Sequence, residues 1–147
     1  MRVAALAAVV LAAAAVGCGS AASAPSETTA QQPATALTIT FWERGRAETA
    51  APKRWTLRCG PVAGTHTRRA EACRKLNALK APFAPLRDDV ICTQIYGGPQ
   101  QALVTGRHRG NRVWAQFSLR DGCQIDRFKR VAFLVPGFAV GAGGATS

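Results

Sequence analysis

Five cysteines and two histidines are the residues of this 147-residue chain with the most chemistry to offer. Cys59, Cys73, Cys92 and Cys123 stand singly, with no Cys-x-x-Cys pair, so the spacing does not point to zinc. His66 follows Gly64-Thr65 in a turn, and His108 falls in a charged loop. Neither has a serine, cysteine or carboxylate at a catalytic spacing, so His66 reads as a structural side chain bonded to loop backbone. The acidic residues are few and form no evident pair for general acid–base work. The expectation is a protein that is not an enzyme, with no metal and no cofactor.

The fifth cysteine, Cys18, belongs to a different context. Arg2 precedes an unbroken apolar run from Val3 to Val16. The run is shorter than the about 20 residues that span a bilayer. A basic start, a short apolar core and then small residues make a secretory signal peptide, placed at 1–18. Ala15-Val16-Gly17-Cys18 is similar to a bacterial lipobox, so Cys18 is a candidate for lipidation. Setting Cys18 aside leaves an even set of four cysteines, and export makes disulfides their expected state. Residues 19–35 are Ala, Ser, Thr, Gln and Pro with one Glu, a flexible linker. The expected location is outside the cytoplasm, either lipid-anchored on the outer side of the cell membrane or secreted.

The chain carries 19 Lys and Arg against 8 Asp and Glu, a net charge of +11. The excess clusters at Arg68, Arg69, Arg74, Lys75 and Lys80, at Arg107, Arg109 and Arg112, and at Arg127, Lys129 and Arg130. No nucleic-acid motif accompanies it, and export removes that partner. A solvated surface facing an anionic membrane or wall is the simpler reading.

These residues must be positioned by a single domain, 36–135, followed by a Gly- and Ala-rich tail, 136–147. Leu37, Ile39 and Phe41 alternate along one strand, and Trp55 to Cys59 alternate along a second, with a loop long enough for an antiparallel hairpin. Thr67 is the expected cap of a helix that carries Ala72, Cys73, Leu76 and Leu79 inward and stops before Pro82. A Cys59–Cys73 bridge would staple that helix to the sheet and contribute about 3 kcal/mol. Four cysteines allow three connectivities, and the spacing alone does not choose among them.

Thr93 to Tyr96 reads as extended, held by Cys92 at one end and turned away by Gly97-Gly98-Pro99 at the other. Ala102 to Thr105 and Val113 to Leu119 are strands around the charged turn Arg107–Asn111. Ile125 to Lys129 is a short helical turn, and Val131 to Val135 a final strand. The predicted fold is α+β: about five antiparallel strands with one main helix, and a short second one, packed on one face.

Taken together, Leu57-x-Cys59, Gly64-Thr65-His66, Ala72-Cys73, Asp89-Val90-x-Cys92-Thr93, Tyr96 and Cys123 resemble the Streptomyces subtilisin inhibitor family. The resemblance runs from about Leu37 to Val135. It implies disulfides Cys59–Cys73 and Cys92–Cys123. It also implies an exposed reactive loop that inhibits a subtilisin-like or trypsin-like serine protease. By that resemblance Gln94 enters the protease's primary pocket and Gln94–Ile95 is the reactive bond. Ile91 and Thr93 contact the enzyme on one side of the bond, and Tyr96 on the other.

Where relatives carry Asp-Pro after the tyrosine, this chain has Gly97-Gly98-Pro99, which is expected to soften that flank. Where they carry a bracing Asn, it has Asp121, which when ionised accepts hydrogen bonds but donates none. The implied partners are the protease, a membrane reached through lipid on Cys18, and, as a further option, a second copy of the chain. The alternative reading keeps the fold as a non-inhibitory binding module at the cell surface.

Overall fold

The computed structural model describes residues 35–139. The signal peptide, Cys18, nearly all of the linker and most of the tail lie outside the described residues.

Four strands form one antiparallel sheet among the described residues: β1 (Thr35–Trp42), β2 (Lys53–Cys59), β3 (Gln101–His108) and β4 (Asn111–Ser118). Their order is β2-β1-β3-β4, so the first strand is central. The register sets Leu37 against Leu57, and Ile39 against Val104, which in turn faces Ala115. These alternating residues lie on one face and are buried. Helices α1 (Arg69–Ala78) and α2 (Gly122–Val131) close over that face, adding Ala72, Cys73, Leu76, Phe128 and Val131 to the core. The fold is α+β, with both helices on one side of the sheet.

Two predicted elements differ. The segment Val131 to Val135 is not a fifth strand. It is the last residue of α2 followed by a 3-10 turn, Ala132–Leu134. The helix is also longer than the predicted turn Ile125–Lys129. The physical reason is the period: Phe128, Val131 and Leu134 recur every three residues and are all buried, a helical stripe that continues into the β-prone run. Asp121 starts this helix, its carboxylate accepting from the Gln124 N–H at 2.8 Å.

Thr67 does not cap α1. The cap position is Arg68, whose N–H is donated to His66 Nδ1 at 3.2 Å. The histidine ring thus serves one of the helix's orphan donors. At the other end, the Arg109 guanidinium donates to the carbonyls of Asn77 (2.6 Å) and Leu79 (3.4 Å), completing the C-terminus of α1. Arg109 is offered from the β3–β4 turn, where Arg109 and Gly110 both have positive φ, 50° and 79°. That is the type I′ geometry that suits a twisted hairpin.

His108 is not in the charged loop. It ends β3 and is buried, with Nδ1 2.9 Å from the Thr35 hydroxyl and its ring edge-on to Phe83. Burial pushes the pKa of both histidines down. For His66 the carbonyls of Phe133 and Leu134 oppose that shift, and for His108 the nearby Arg109 adds to it. The unfolded chain therefore takes up protons that the folded one refuses. This contribution is fully present above the ordinary histidine value of 6.5 and is lost as pH falls from there through the lowered folded values.

Urea midpoints measured between about pH 7.5 and pH 5 should fall toward the acid end, above the range where carboxylates titrate. A flat profile in that window would contradict buried neutral imidazoles. Gly106 supplies a second check. Its φ is +129°, and a Cβ there would fall on the carbonyl of Ala36 in the central strand. Gly106→Ala should destabilise by about 2 kcal/mol or more in urea denaturation.

Candidate functional site

The segment from Ile91 to Tyr96 crosses the surface without joining the sheet. Its side chains face solvent: Ile91 is 98% exposed, Ile95 59% and Tyr96 67%. Large apolar side chains this exposed, in succession on one loop, mark a surface kept for contact. Thr93 and Gln94 are exposed as well.

The loop is held at three points. Cys92 is bridged to Cys123, with the Cα atoms 5.4 Å apart. The Gly122 N–H donates to the Thr93 carbonyl at 2.9 Å. The Gly97 N–H donates to the Leu119 carbonyl at 2.7 Å. All three tethers end on Leu119–Cys123, where β4 gives way to α2. Gln94, Ile95 and Tyr96 bulge between the anchors, with the Gln94 amide turned back to the Cys92 carbonyl at 3.3 Å.

Gly97 therefore does not soften the flank. It packs against Leu119 and Ile125, close enough that a Cβ would stand 3.0 Å from Ile125 Cδ1. Gly98 does use glycine's freedom, at φ +131°, and turns the chain toward β3. Asp121 does not brace the loop directly. Its carboxylate is spent on capping α2 and on Arg120, 3.3 Å away. The bracing donor is its neighbour's backbone, at Gly122. A Cβ at Gly122 would meet the Thr93 hydroxyl, which can turn away, and would stand 3.6 Å from the Thr93 carbonyl oxygen, so it is the Gly122 N–H rather than the missing side chain that holds the loop.

A second support lies beneath the approach to the loop. Arg127 is buried on α2, and its guanidinium reaches the carbonyls of Ala84 (2.8 Å), Phe83 (3.5 Å) and Gln116. It also stacks over Phe117 at 4.4 Å. Burial lowers its pKa, with a smaller push from Arg130. One cation thus ties the Pro82–Asp89 connection to β4. Sequence reasoning grouped Arg127 with solvated charges, and only its place four residues before the apolar Val131, beside Phe128, hinted otherwise.

The remaining bridge, Cys59–Cys73, joins the end of β2 to the inner face of α1, with the Cα atoms 5.8 Å apart. Both implied disulfides are present. The Asp121 carboxylate lies near the sulfurs of Cys92 and Cys123, but those sulfurs are bonded to each other and offer no thiolate to a cation.

A family model described as subtilisin inhibitor-like matches residues 33–119, more than half of the chain. The chain belongs to the subtilisin inhibitor-like family. Among solved structures it is similar to sermetstatin of Streptomyces caespitosus, determined in complex with Bacillus licheniformis subtilisin. The identity is 24% over 70% of this chain and 97% of that one, with a TM-score of 0.45. A comparison with curated proteins finds no match.

The match to the inhibitor-like family stops at Leu119. Gly122, Cys123 and α2, which hold the loop from below, come after it.

Gly122→Pro removes the N–H donated to the Thr93 carbonyl, at the first position of α2, where proline is tolerated, and should leave global stability within about 2 kcal/mol. The Ile91–Tyr96 loop should then be cleaved faster by added protease, at least several-fold by mass spectrometry. An unchanged cleavage rate would show that Gly122 does not hold the loop.

Proposed function

We propose that this domain inhibits a subtilisin-like or trypsin-like serine protease, with Gln94–Ile95 as the reactive bond. One observation carries the reading: the exposed bond is anchored on both flanks to the same short segment, Leu119–Cys123. Membership of the subtilisin inhibitor-like family supports it.

A protease takes its substrate as an extended strand, through backbone hydrogen bonds and side-chain pockets. A loop already held in place loses little conformational freedom on binding, so more of the contact energy appears as affinity. In this reading Gln94 fills the primary pocket. Ile91 and Thr93 lie along the acyl side, and Ile95 and Tyr96 supply apolar contact beyond the bond.

If the protease cuts the bond, Thr93 stays tied through Gly122 and Cys92, and Gly97 through Leu119. The new amine then remains beside the acyl group, and re-forming the bond competes with hydrolysis. Inhibition needs no catalytic group of the inhibitor's own.

The compartment follows as part of the same proposal. Two disulfides in so small a domain suit an oxidising environment. A signal segment ending at Cys18, with lipid on that cysteine, would keep the domain at the outer side of the cell membrane. Cys18 itself lies outside the described residues.

Titration of subtilisin and of trypsin with the purified protein should give stoichiometric inhibition of at least one. Gln94→Pro should weaken it by 100-fold or more, on the order of 3 kcal/mol, with the thermal midpoint unchanged. Proline cannot keep the backbone N–H that a bound strand donates. Rapid, complete cleavage of the wild-type loop without inhibition would defeat the proposal.

A further inference from the structure

Arg127 breaks a rule that the rest of the core obeys. It is 7% exposed and stands on the inner stripe of α2 with Phe128 and Val131. Among the described residues no carboxylate forms an ion pair with it. A buried cation held only by neutral carbonyls and a ring face is less favourable than an apolar side chain of similar volume. Exceptions of this kind gather at the functional places of a fold.

The guanidinium holds one foot of an arch. From Leu79 to Gln100 the chain forms no helix or strand. Within Pro82–Val90 the backbone hydrogen bonds are local, Ala84 N–H to Ala81 and Val90 N–H to Arg87. Among the described residues, the hydrogen bonds that tie this stretch to another element are those of Arg127 to the Phe83 and Ala84 carbonyls. The other foot is the Cys92–Cys123 bridge.

Cys123 and Arg127 stand one turn apart on α2, so both feet rest on one face of one helix. Their positions differ by about 6 Å along its axis. The chain from Ala84 to Cys92 could extend about 26 Å. The slack stands away over a groove of about 510 Å³, lined by Leu86, Trp114, Gln116, Arg120 and Gln124. A span with open space beneath it depends on its feet. The Phe83 ring, edge-on to His108, fixes where the first foot sits. The carbonyls bonded to Arg127 fix the direction in which the backbone leaves it.

We propose, resting on the inhibitory reading of Gln94–Ile95, that Arg127 is a positioning residue for the reactive loop. By holding the first foot of the arch, it keeps the acyl flank, Ile91 to Thr93, in the extended form that a protease takes up. The leaving flank, Ile95 and Tyr96, is held separately, through Gly97 and Leu119. The two flanks therefore differ in their dependence on Arg127. With the guanidinium in place, Ile91 meets the enzyme already ordered. Without it the arch turns on one foot, and ordering it again offsets part of the Ile91 contact.

The test is a pair of double-mutant cycles on the full chain, read as the inhibition constant for subtilisin. Arg127→Met removes the donors and keeps the apolar stem. The open groove lets water reach the freed carbonyls, and the thermal midpoint reports whether the variant is folded. Arg127→Met should weaken inhibition by about tenfold. Ile91→Ala should weaken the wild type by about tenfold, and the Arg127→Met protein by only about twofold. Tyr96→Ala should cost the same in both backgrounds. A general loss of stability would not distinguish the flanks. Equal coupling to Ile91 and Tyr96, or none to either, would overturn the proposal.

Backbone order parameters of the free proteins, from amide relaxation, supply a readout that needs no protease. Over Asp88–Ile91 they should drop from about 0.8 in the wild type to about 0.6 or below in Arg127→Met. Unchanged values would overturn the proposal. If the wild type inhibits neither subtilisin nor trypsin, the reading of Gln94–Ile95 fails by itself, and the order parameters still decide whether Arg127 holds the arch. If Arg127→Met does not fold, Arg127→Lys takes its place in both measurements, since one ammonium cannot reproduce the fork that spans three carbonyls.

Discussion

The exposed loop depends on the turn of chain between β4 and α2. From Leu119 to Cys123 the backbone stops being a strand and becomes a helix. At such a junction carbonyls and N–H groups lack partners within either element. Leu119 offers a carbonyl, Gly122 an N–H and Cys123 a sulfur, and the loop takes all three. The loop is shaped by what the junction leaves unsatisfied, which is why it can be rigid without belonging to the sheet.

The same economy recurs deeper in the molecule. Irregular backbone must pass over a small core, and its carbonyls need donors. Arg127 and Arg109 serve that need for the Phe83–Ala84 segment and the end of α1. His66 meets the opposite need, accepting an N–H where α1 begins. Three side chains of the kinds that do chemistry elsewhere are occupied with backbone bookkeeping here. The burial of His66 and Arg127, and the lowered pKa of each, follow from that structural task.

Much of this was legible in the sequence. Alternation placed β1, β2 and β4 to within two residues at each end, whereas β3 was read only from Ala102 to Thr105 and runs on to His108; helical spacing put Cys73 on the inner face of α1. The extended run Thr93–Tyr96 followed from a β-prone segment stopped by Gly97-Gly98-Pro99, and its exposure as a loop only from the family resemblance. The failures share a cause. Val131–Val135 has the composition of a strand, but the helix begun at Asp121 imposes its period on it. Gly97 looked permissive because flexibility is glycine's intrinsic property, whereas its packing on Leu119 and Ile125 is tertiary. The partners of Arg127 lie 43 residues back at Ala84 and 11 back at Gln116, and no local pattern encodes them.

The strand order carries a consequence for how the chain comes into being. β1 is central, yet it is made first. Its pairing with β2 is local, and the Cys59–Cys73 bridge can close soon after. Its other edge stays open until β3 arrives, about 60 residues later where Trp42 meets Gln101 and 73 later where Thr35 meets His108. A chain emerging from its N-terminus therefore passes through a stage with a long, apolar, unpaired strand edge, which is a template for association. The interval holds the entire exposed segment Ile91–Tyr96. Insertions there lengthen that vulnerable stage even when the finished fold would tolerate them.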